Sequence, residues 1–273
     1  MLLRRIATAA VLIPLLAASV LLSGGRPGAW PFLLFCGAAA GLCADEWVRM
    51  FFRGARDRAG GVALSLLVFL SGASLPGEFR WPALLACVLL SVFHALPGPS
   101  PPAEKARSAA MLSLAAVYTG GLLATYPRTL LLPRGEHWVF LGIVAVSAGD
   151  TLAYFTGRAV GRTRLAPAVS PNKTVEGALG GLLGSVAFSV LYARGFLPGV
   201  PAWYAAAGGA AVGIFGQAGD LFESLLKRAA GVKDSGTIFP GHGGILDRAD
   251  GILAAGPALY LVAAMSPLAR WTP

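Results

Sequence analysis

Residues 138–155 read WVFLGIVAVSAGDTLAYF, and residues 177–192 read GALGGLLGSVAFSVLY. The two stretches together hold a single charged residue, Asp150. A helix needs about 20 predominantly apolar residues to cross the hydrocarbon core of a bilayer. Because lipid offers no partners to backbone N–H and C=O groups, an apolar segment of this kind crosses the membrane as a helix. Both stretches are therefore predicted to be transmembrane helices.

The rest of the chain has the same character. Of its 273 residues, 56% are hydrophobic and 13% are charged, whereas a soluble domain carries about 25% charged residues. Seven further apolar runs are candidate spans, at residues 6–22, 30–50, 61–73, 82–96, 109–126, 203–219 and 252–267. We therefore expect an all-α, polytopic integral membrane protein with about nine transmembrane helices. A cleaved signal peptide is the alternative for residues 1–25, but the many later spans favour a first transmembrane helix.

The lysines and arginines indicate an orientation. With the N-terminus in the cytoplasm and nine crossings, 16 of the 22 lie in cytoplasmic segments and 6 in outer segments. This bias agrees with the tendency of basic loops to stay in the cytoplasm. The net charge of +9 does not indicate a nucleic-acid partner, because short basic segments between spans offer no long surface for a phosphate backbone.

The two halves of the chain differ. Residues 1–127 carry few polar groups within their spans and are interpreted as a scaffold, whereas residues 128–273 are interpreted as the catalytic region. Asp45 and Glu46, near the end of the second span, are interpreted as solvated helix caps. The later spans are rich in glycines whose expected role is close helix packing; they are Gly177, Gly181, Gly184, Gly209, Gly213 and Gly216.

Charged groups are densest between residues 219 and 250. Residues 219–228 read GDLFESLLKR, followed by Lys233-Asp234 and, at 240–250, by PGHGGILDRAD. If the eighth helix continues past residue 219, the side chains of Asp220, Glu223, Ser224 and Lys227 share one face. Asp220 and Asp247 are then candidates to hold Mg²⁺, which prefers oxygen ligands and shares itself with substrate phosphates.

These residue types suit nucleotidyl transfer. The neighbouring lysines and arginines would neutralise phosphate charge, and the glycines around His242 would let backbone N–H groups approach a phosphate. An acceptor phosphate is already a nucleophile at neutral pH, since its second pKa is about 6, so the reaction needs no strong base. His242 has two open interpretations: it donates a hydrogen bond to pyrophosphate, or it only shapes a turn.

At these residues the chain resembles the phosphatidate cytidylyltransferases, also called CDP-diacylglycerol synthases. The matching positions are Ser224, Lys227, Arg228, Lys233, Asp234, His242, Gly243, Gly244, Asp247, Arg248 and Asp250. A second stretch is similar to the family's earlier cytoplasmic motif and comprises Asp150, Gly157, Arg158, Gly161, Ser170, Lys173, Thr174 and Glu176. The departures are Ala249, where the family has a bulkier residue or threonine, and Asn172, where many members have a second lysine.

The resemblance implies a polytopic α-helical enzyme of the bacterial inner membrane, dimeric and dependent on Mg²⁺, with its active site on the cytoplasmic face among membrane lipids. It would convert CTP and phosphatidate into CDP-diacylglycerol and pyrophosphate, and a monovalent cation such as K⁺ would fit beside the Mg²⁺. The implied metal ligands are Asp220, Asp247, Asp150 and Asp250. The implied catalytic and phosphate-binding residues are Lys227, Arg228, His242, Arg248, Lys173, Lys233, Ser170, Thr174, Ser224, Asp234, Gly243 and Gly244.

Two other functions fit parts of the pattern. A related membrane transferase would use another lipid acceptor, but the complete pattern from Ser224 to Asp250 argues against it. A transporter would place ionisable residues near the bilayer midplane, often on broken helices. In this chain they gather at one predicted face, among lysines and glycines.

Overall fold

The computed structural model describes residues 2–23, 29–238 and 243–271, and the side chains of residues 10–23, 29–238 and 243–269. Ten α-helices follow one another within these ranges: α1 (Leu2–Ser23), α2 (Trp30–Phe51), α3 (Ala55–Ser74), α4 (Gly77–Ala95), α5 (Pro102–Ala115), α6 (Thr125–Leu130), α7 (Gly135–Val160), α8 (Val175–Phe196), α9 (Ala202–Ala229) and α10 (Leu246–Ala264). The prediction of an all-α fold is confirmed. The strands β1 (Arg164–Ala166) and β2 (Ser170–Thr174) add a small antiparallel hairpin.

The described helices include five that are long and apolar enough to cross a membrane. They are α2, α4, α7, α8 and the continuous segment Pro102–Leu130, in which α5 passes through the π-helical stretch Ala116–Gly121. Every predicted span overlaps a helix, but the predicted count of nine is not confirmed. Helices α3, α9 and α10 carry charged residues in an end turn, such as Asp57, Lys227 and Asp247. The chain is a membrane protein.

The chain forms two compact units. One contains Met1–Pro127 and Val232–Arg248, and the other contains Arg128–Gly231 and Ala249–Pro273. We call them the first and the second unit. The segment Val232–Arg248, which carries part of the motif, groups with the N-terminal helices. The roles of scaffold and catalytic region for residues 1–127 and 128–273 stay predictions.

The first unit packs around large buried side chains on α2, α3 and α5. Trp47 and Phe32 on α2, Phe69 on α3 and Leu112 on α5 are at most 1% exposed. The π-helical stretch contacts α3 directly, since the Thr119 hydroxyl lies 2.7 Å from the Ser65 hydroxyl. Burying these two hydroxyls is tolerated because they satisfy each other.

The second unit depends on glycines where α7, α8 and α9 meet. A Cβ on Gly181 of α8 would lie 2.9 Å from the Gly149 carbonyl oxygen of α7. A Cβ on Gly209 of α9 would lie 2.6 Å from Ser189 Oγ of α8. Any side chain at these positions would force the helices apart. The interpretation of the glycine-rich spans as close-packing surfaces is confirmed at these contacts.

Candidate active site

Helix α9 carries three predicted site residues, Asp220, Ser224 and Lys227, on one face together with Glu223. The helix continues past Gly219 to Ala229, as the spacing required. Lys227 Nζ lies 2.5 Å from Glu223 Oε2, one helical turn away, and Glu223 is fully buried. The Ser224 hydroxyl donates a long hydrogen bond of 3.5 Å to Asp220 Oδ1. Acid, hydroxyl and ammonium therefore lie together at the end of this helix.

The hairpin brings a second predicted phosphate ligand to Asp220. Lys173 lies on β2, and its Nζ lies 2.6 Å from Asp220 Oδ2. Both side chains are partly exposed, with 27% and 37% of their surface accessible. Because the two side chains are partly exposed, their charges are accessible to a ligand. An ion pair in such a position adds little stability.

The hairpin is held to the start of α8 by its neighbours. The Glu176 carboxylate accepts hydrogen bonds from the backbone N–H groups of Arg162 and Thr163, at 3.0 and 3.2 Å. Thr174 is the N-cap of α8, and its hydroxyl accepts from Gly177 N at 3.0 Å. Ser170 pairs with Ala166 across the hairpin. The predicted substrate contact of Thr174 is therefore joined by a structural role that the motif did not reveal.

Three carboxylates of the second unit come from three helices, Asp150 on α7, Asp220 on α9 and Asp250 on α10. Asp250 precedes the apolar part of its helix. Burial raises the pKa of its carboxyl group, and the negative charges of Asp220 and then Asp150 raise it further, while Lys227 opposes them. A carboxylate raises the pKa of another only within electrostatic reach, so Asp220 and Asp150 lie near Asp250. A cation placed among them would relieve that repulsion.

The second unit fits an open cation site better than a closed one. Among the residues that the structure describes, no group of three or more His, Cys, Asp or Glu side chains is arranged to enclose a metal ion. Mg²⁺ usually binds through one or two carboxylates and takes its remaining ligands from substrate phosphates and water. Asp220, with Asp150 or Asp250 nearby, offers that kind of donor set. The assignment of these residues as metal ligands stays a prediction.

Asp247 lies in the first unit, at the start of α10. Its Oδ2 accepts three hydrogen bonds, from Gly244 N at 2.7 Å, Ser235 N at 2.9 Å and the Ser235 hydroxyl at 3.0 Å. Gly243 has a φ of 82°, a left-handed conformation that favours glycine. Glycines 243 and 244 therefore shape the turn that brings backbone to Asp247. The predicted sharing of one Mg²⁺ by Asp220 and Asp247, which belong to different units, stays a prediction.

Glu46 is a residue whose role the sequence interpretation missed. It is 2% exposed, and its carboxylate accepts from Ile245 N at 3.0 Å, Leu246 N at 2.9 Å and the Ser235 hydroxyl at 2.9 Å. The interpretation of Glu46 as a solvated cap is therefore wrong. The sequence did carry one signal, since Glu46 follows Cys43 by three residues on the buried side of α2.

Asp45, the residue before Glu46, behaves differently. Its carboxylate forms ion pairs with Arg49, at 3.0 Å, and with Arg58. Both arginine side chains are about half exposed, at 56% and 48%. Two adjacent acids on one helix therefore have different environments, one among arginines at the surface and one inside the unit.

The remaining motif residues are exposed or lie outside the described ranges. Lys233, Asp234 and Arg248 are exposed in the first unit. Arg228, in the second unit, donates from Nε to the Val169 carbonyl at 3.4 Å, beside the hairpin turn. His242 lies outside the described residues, so both interpretations of it remain predictions.

Comparison with known proteins identifies relatives. A family model described as "Cytidylyltransferase family" matches residues 3–266. The chain is 39% identical over 155 residues to a protein of Bacillus subtilis (strain 168), covering 56% of this chain and 58% of the relative. It is 38% identical over 183 residues to a Thermotoga maritima protein, covering 59% and 61%, and 47% identical over 134 residues to a Brucella abortus protein, covering 49% of each. All three relatives are named phosphatidate cytidylyltransferase. These matches span about half to three-fifths of the relatives' length.

Proposed function

We propose, since this chain belongs to the cytidylyltransferase family, that it transfers the cytidylyl group of CTP to phosphatidate, giving CDP-diacylglycerol and pyrophosphate. The relatives' shared name supports this reaction. One structural observation carries it furthest: Asp220, near Asp150 and Asp250, is in contact with Lys173 in a mostly hydrophobic membrane protein. Sites of phosphoryl and nucleotidyl transfer combine carboxylates that hold a cation with ammonium groups that bind phosphate.

The bond changes are simple. A phosphate oxygen of phosphatidate forms a bond to the α-phosphorus of CTP, while the bond from that phosphorus to the bridging oxygen of the β-phosphate breaks. Pyrophosphate leaves with the electron pair. Because the acceptor phosphate is already ionised at neutral pH, the protein's contribution is positioning and charge stabilisation.

The side chains of the second unit divide this work. Lys173 on the hairpin and Lys227 on α9 would bind phosphate oxygens and offset their charge. Asp220, with Asp150 or Asp250, would hold Mg²⁺. When bound, Mg²⁺ supplies a positive charge that neutralises the triphosphate and the departing pyrophosphate. Asp220 is suited to bind Mg²⁺ as well as an ammonium group, since its carboxylate already contacts the Lys173 ammonium.

The motif residues of the first unit would add further contacts. Lys233 and Arg248 are exposed cations and would bind phosphate oxygens. Gly243 and Gly244 would allow backbone N–H groups to approach the ligand. Asp247 is also a metal ligand by the resemblance. Roles of Ser170, Ser224 and Asp234 in substrate binding belong to the same proposal.

We also propose the bacterial inner membrane as the location, with the site on the cytoplasmic face. The distribution of lysines and arginines supports this orientation, because 16 of 22 fall in the segments assigned to the cytoplasm. A homodimer, and a monovalent cation such as K⁺ beside Mg²⁺, are implied by the family resemblance alone.

The test is an assay of the purified protein in detergent, with phosphatidate, labelled CTP and Mg²⁺. We expect labelled CDP-diacylglycerol and pyrophosphate in equal amounts, and none when Mg²⁺ is removed with a chelator. Glu104→Gln, which neutralises an exposed acid at the start of α5, serves as the matched control and should keep full activity. Binding of CTP without transfer to phosphatidate, in folded protein, would show that another lipid is the acceptor.

A further inference from the structure

We propose that Glu46 is a positioning residue for the reaction, acting through Ser235 on the carboxylate of Asp247. The inference rests on the proposed function, in which Asp247 helps to bind the metal ion. Nothing in the motif includes Glu46 or Ser235. All of the contacts that carry the inference lie within the first unit.

The Glu46 carboxylate accepts hydrogen bonds from residues that lie next to Asp247 or that also donate to it. Its Oε1 accepts from Ile245 N, and its Oε2 accepts from Leu246 N and from the Ser235 hydroxyl. Leu246 is the first residue of α10. The backbone N–H groups at a helix start have no partners within the helix and favour a negative charge. Glu46 therefore accepts hydrogen bonds both from Ser235 and from the backbone at the start of α10.

The space around Glu46 is shaped to its carboxylate. A Cβ on either Gly236 or Gly244 would collide with the Glu46 carboxylate. The absence of side chains at Gly236 and Gly244 thus leaves room for the Glu46 carboxylate. A buried carboxylate is costly unless donors satisfy it. An apolar residue here would leave the backbone N–H groups of Ile245 and Leu246 and the Ser235 hydroxyl without this acceptor, so the carboxylate holds all three donors in place.

Ser235 connects the two carboxylates. Its hydroxyl lies 2.9 Å from Glu46 Oε2 and 3.0 Å from Asp247 Oδ2, and its backbone N–H donates to the same Asp247 oxygen at 2.9 Å. A hydroxyl has one proton, so it serves the two carboxylates together or in turn. By holding Ser235, Glu46 orients the donors that orient Asp247. This is the arrangement in which outer partners fix the geometry of a metal-binding carboxylate.

The experiment compares Glu46→Gln with Asp45→Asn in the full-length protein. Glu46→Gln preserves size but replaces one accepting oxygen with an amide group that faces N–H donors. Asp45→Asn is the matched control, because it neutralises the adjacent acid, whose carboxylate forms ion pairs with Arg49 and Arg58. Ser235→Ala removes only the connecting hydroxyl and covers the case in which Glu46→Gln fails to fold.

Two readouts separate positioning from folding. The first is the Mg²⁺ concentration that gives half-maximal CDP-diacylglycerol synthesis. The second is the affinity for Mn²⁺, as a spectroscopic substitute for Mg²⁺, measured by electron paramagnetic resonance in the presence of CTP. We expect Glu46→Gln to weaken metal affinity roughly tenfold to hundredfold, the range for outer partners of metal ligands. Ser235→Ala should shift it in the same direction, and Asp45→Asn should leave it unchanged.

The outcomes distinguish this inference from the proposed function. If wild-type protein makes product and Glu46→Gln only lowers the melting temperature, with unchanged turnover and metal affinity, the positioning role is wrong and the function stands. If wild-type protein makes no product but Glu46→Gln still weakens Mn²⁺ binding relative to Asp45→Asn, the function is wrong and the positioning role stands. In an Asp247→Asn background, Glu46→Gln should have no further effect on metal affinity, since coupled residues are not additive.

Discussion

The carboxylates of Glu46 and Asp247 in the first unit and of Asp220 in the second unit have different kinds of partner. In the first unit, Glu46 and Asp247 accept hydrogen bonds from backbone N–H groups and from Ser235. In the second unit, Asp220 contacts the ammonium of Lys173 and lies near enough to Asp250 to raise its pKa. Backbone donors hold a carboxylate in one orientation, whereas a partly exposed ammonium group can be exchanged for another cation. The difference indicates that Glu46 and Asp247 are held in fixed orientations, whereas Asp220 is open to a ligand.

The largest expected effect is at Asp220. Asp220→Asn should reduce cytidylyl transfer about a hundredfold or more, beyond the range for outer partners of metal ligands. The melting temperature in detergent, without metal, should stay the same or rise, because the change removes repulsion with Asp250 and loses only a partly exposed ion pair. The measurement is turnover alongside thermal unfolding. Normal turnover would remove Asp220 from the site.

Lys173 is expected to have the next largest effect. Charge-assisted hydrogen bonds contribute about 1.5–3 kcal/mol, so Lys173→Ala should lower kcat/KM for CTP or phosphatidate roughly tenfold to hundredfold. Steady-state kinetics with each substrate varied would also show which phosphate this lysine binds. Arg164→Ala, on the paired strand β1, is the control for charge loss in the hairpin and should be near wild type. Equal losses of kcat/KM in both variants would mean that only the total positive charge of the hairpin matters and that Lys173 has no specific role.

The role of Glu46 in the first unit can be tested by its effect on the free energy of unfolding. Glu46→Gln leaves buried N–H groups facing an amide, which costs about 1–3 kcal/mol of unfolding free energy. Asp45→Asn breaks only exposed ion pairs and should cost less than about 1 kcal/mol. Thermal or denaturant unfolding of the two variants in the same detergent measures this. If Asp45→Asn were the more destabilising of the two, the anchoring role of Glu46 would be contradicted.

Thr174 gives the smallest expected change. Thr174→Ala removes the N-cap of α8 and should cost about 1 kcal/mol of unfolding free energy, while Thr174→Ser keeps the accepting hydroxyl. Comparing the KM values of the two variants tests the predicted substrate contact separately from the cap. A higher KM for the alanine variant alone, with unchanged stability, would assign the hydroxyl to substrate rather than to the helix.

Much of the candidate site in the second unit could be predicted. The three- and four-residue spacing on α9 placed Asp220, Ser224 and Lys227 on one face, and the helix does continue through them. The contact of Lys173 with Asp220 could not be predicted, because residues 164–174 carry no strong strand pattern. A tight hairpin there is set by pairing between β1 and β2 and by the hydrogen bonds of Glu176.

What the sequence by itself determined is local. Apolar run length predicts helices in a membrane because each helix satisfies its own backbone, and the glycine spacing predicts where helices approach closely. The tertiary structure alone decided that Glu46 is buried and that Ser235, Ile245 and Leu246 surround it, at separations of 189 to 200 residues along the chain. The sequence around a carboxylate at a helix end is the same whether its partners are nearby residues or residues far along the chain. Only the packing of the first unit, which supplies backbone and hydroxyl donors to Glu46 and arginines to Asp45, distinguishes the two acids.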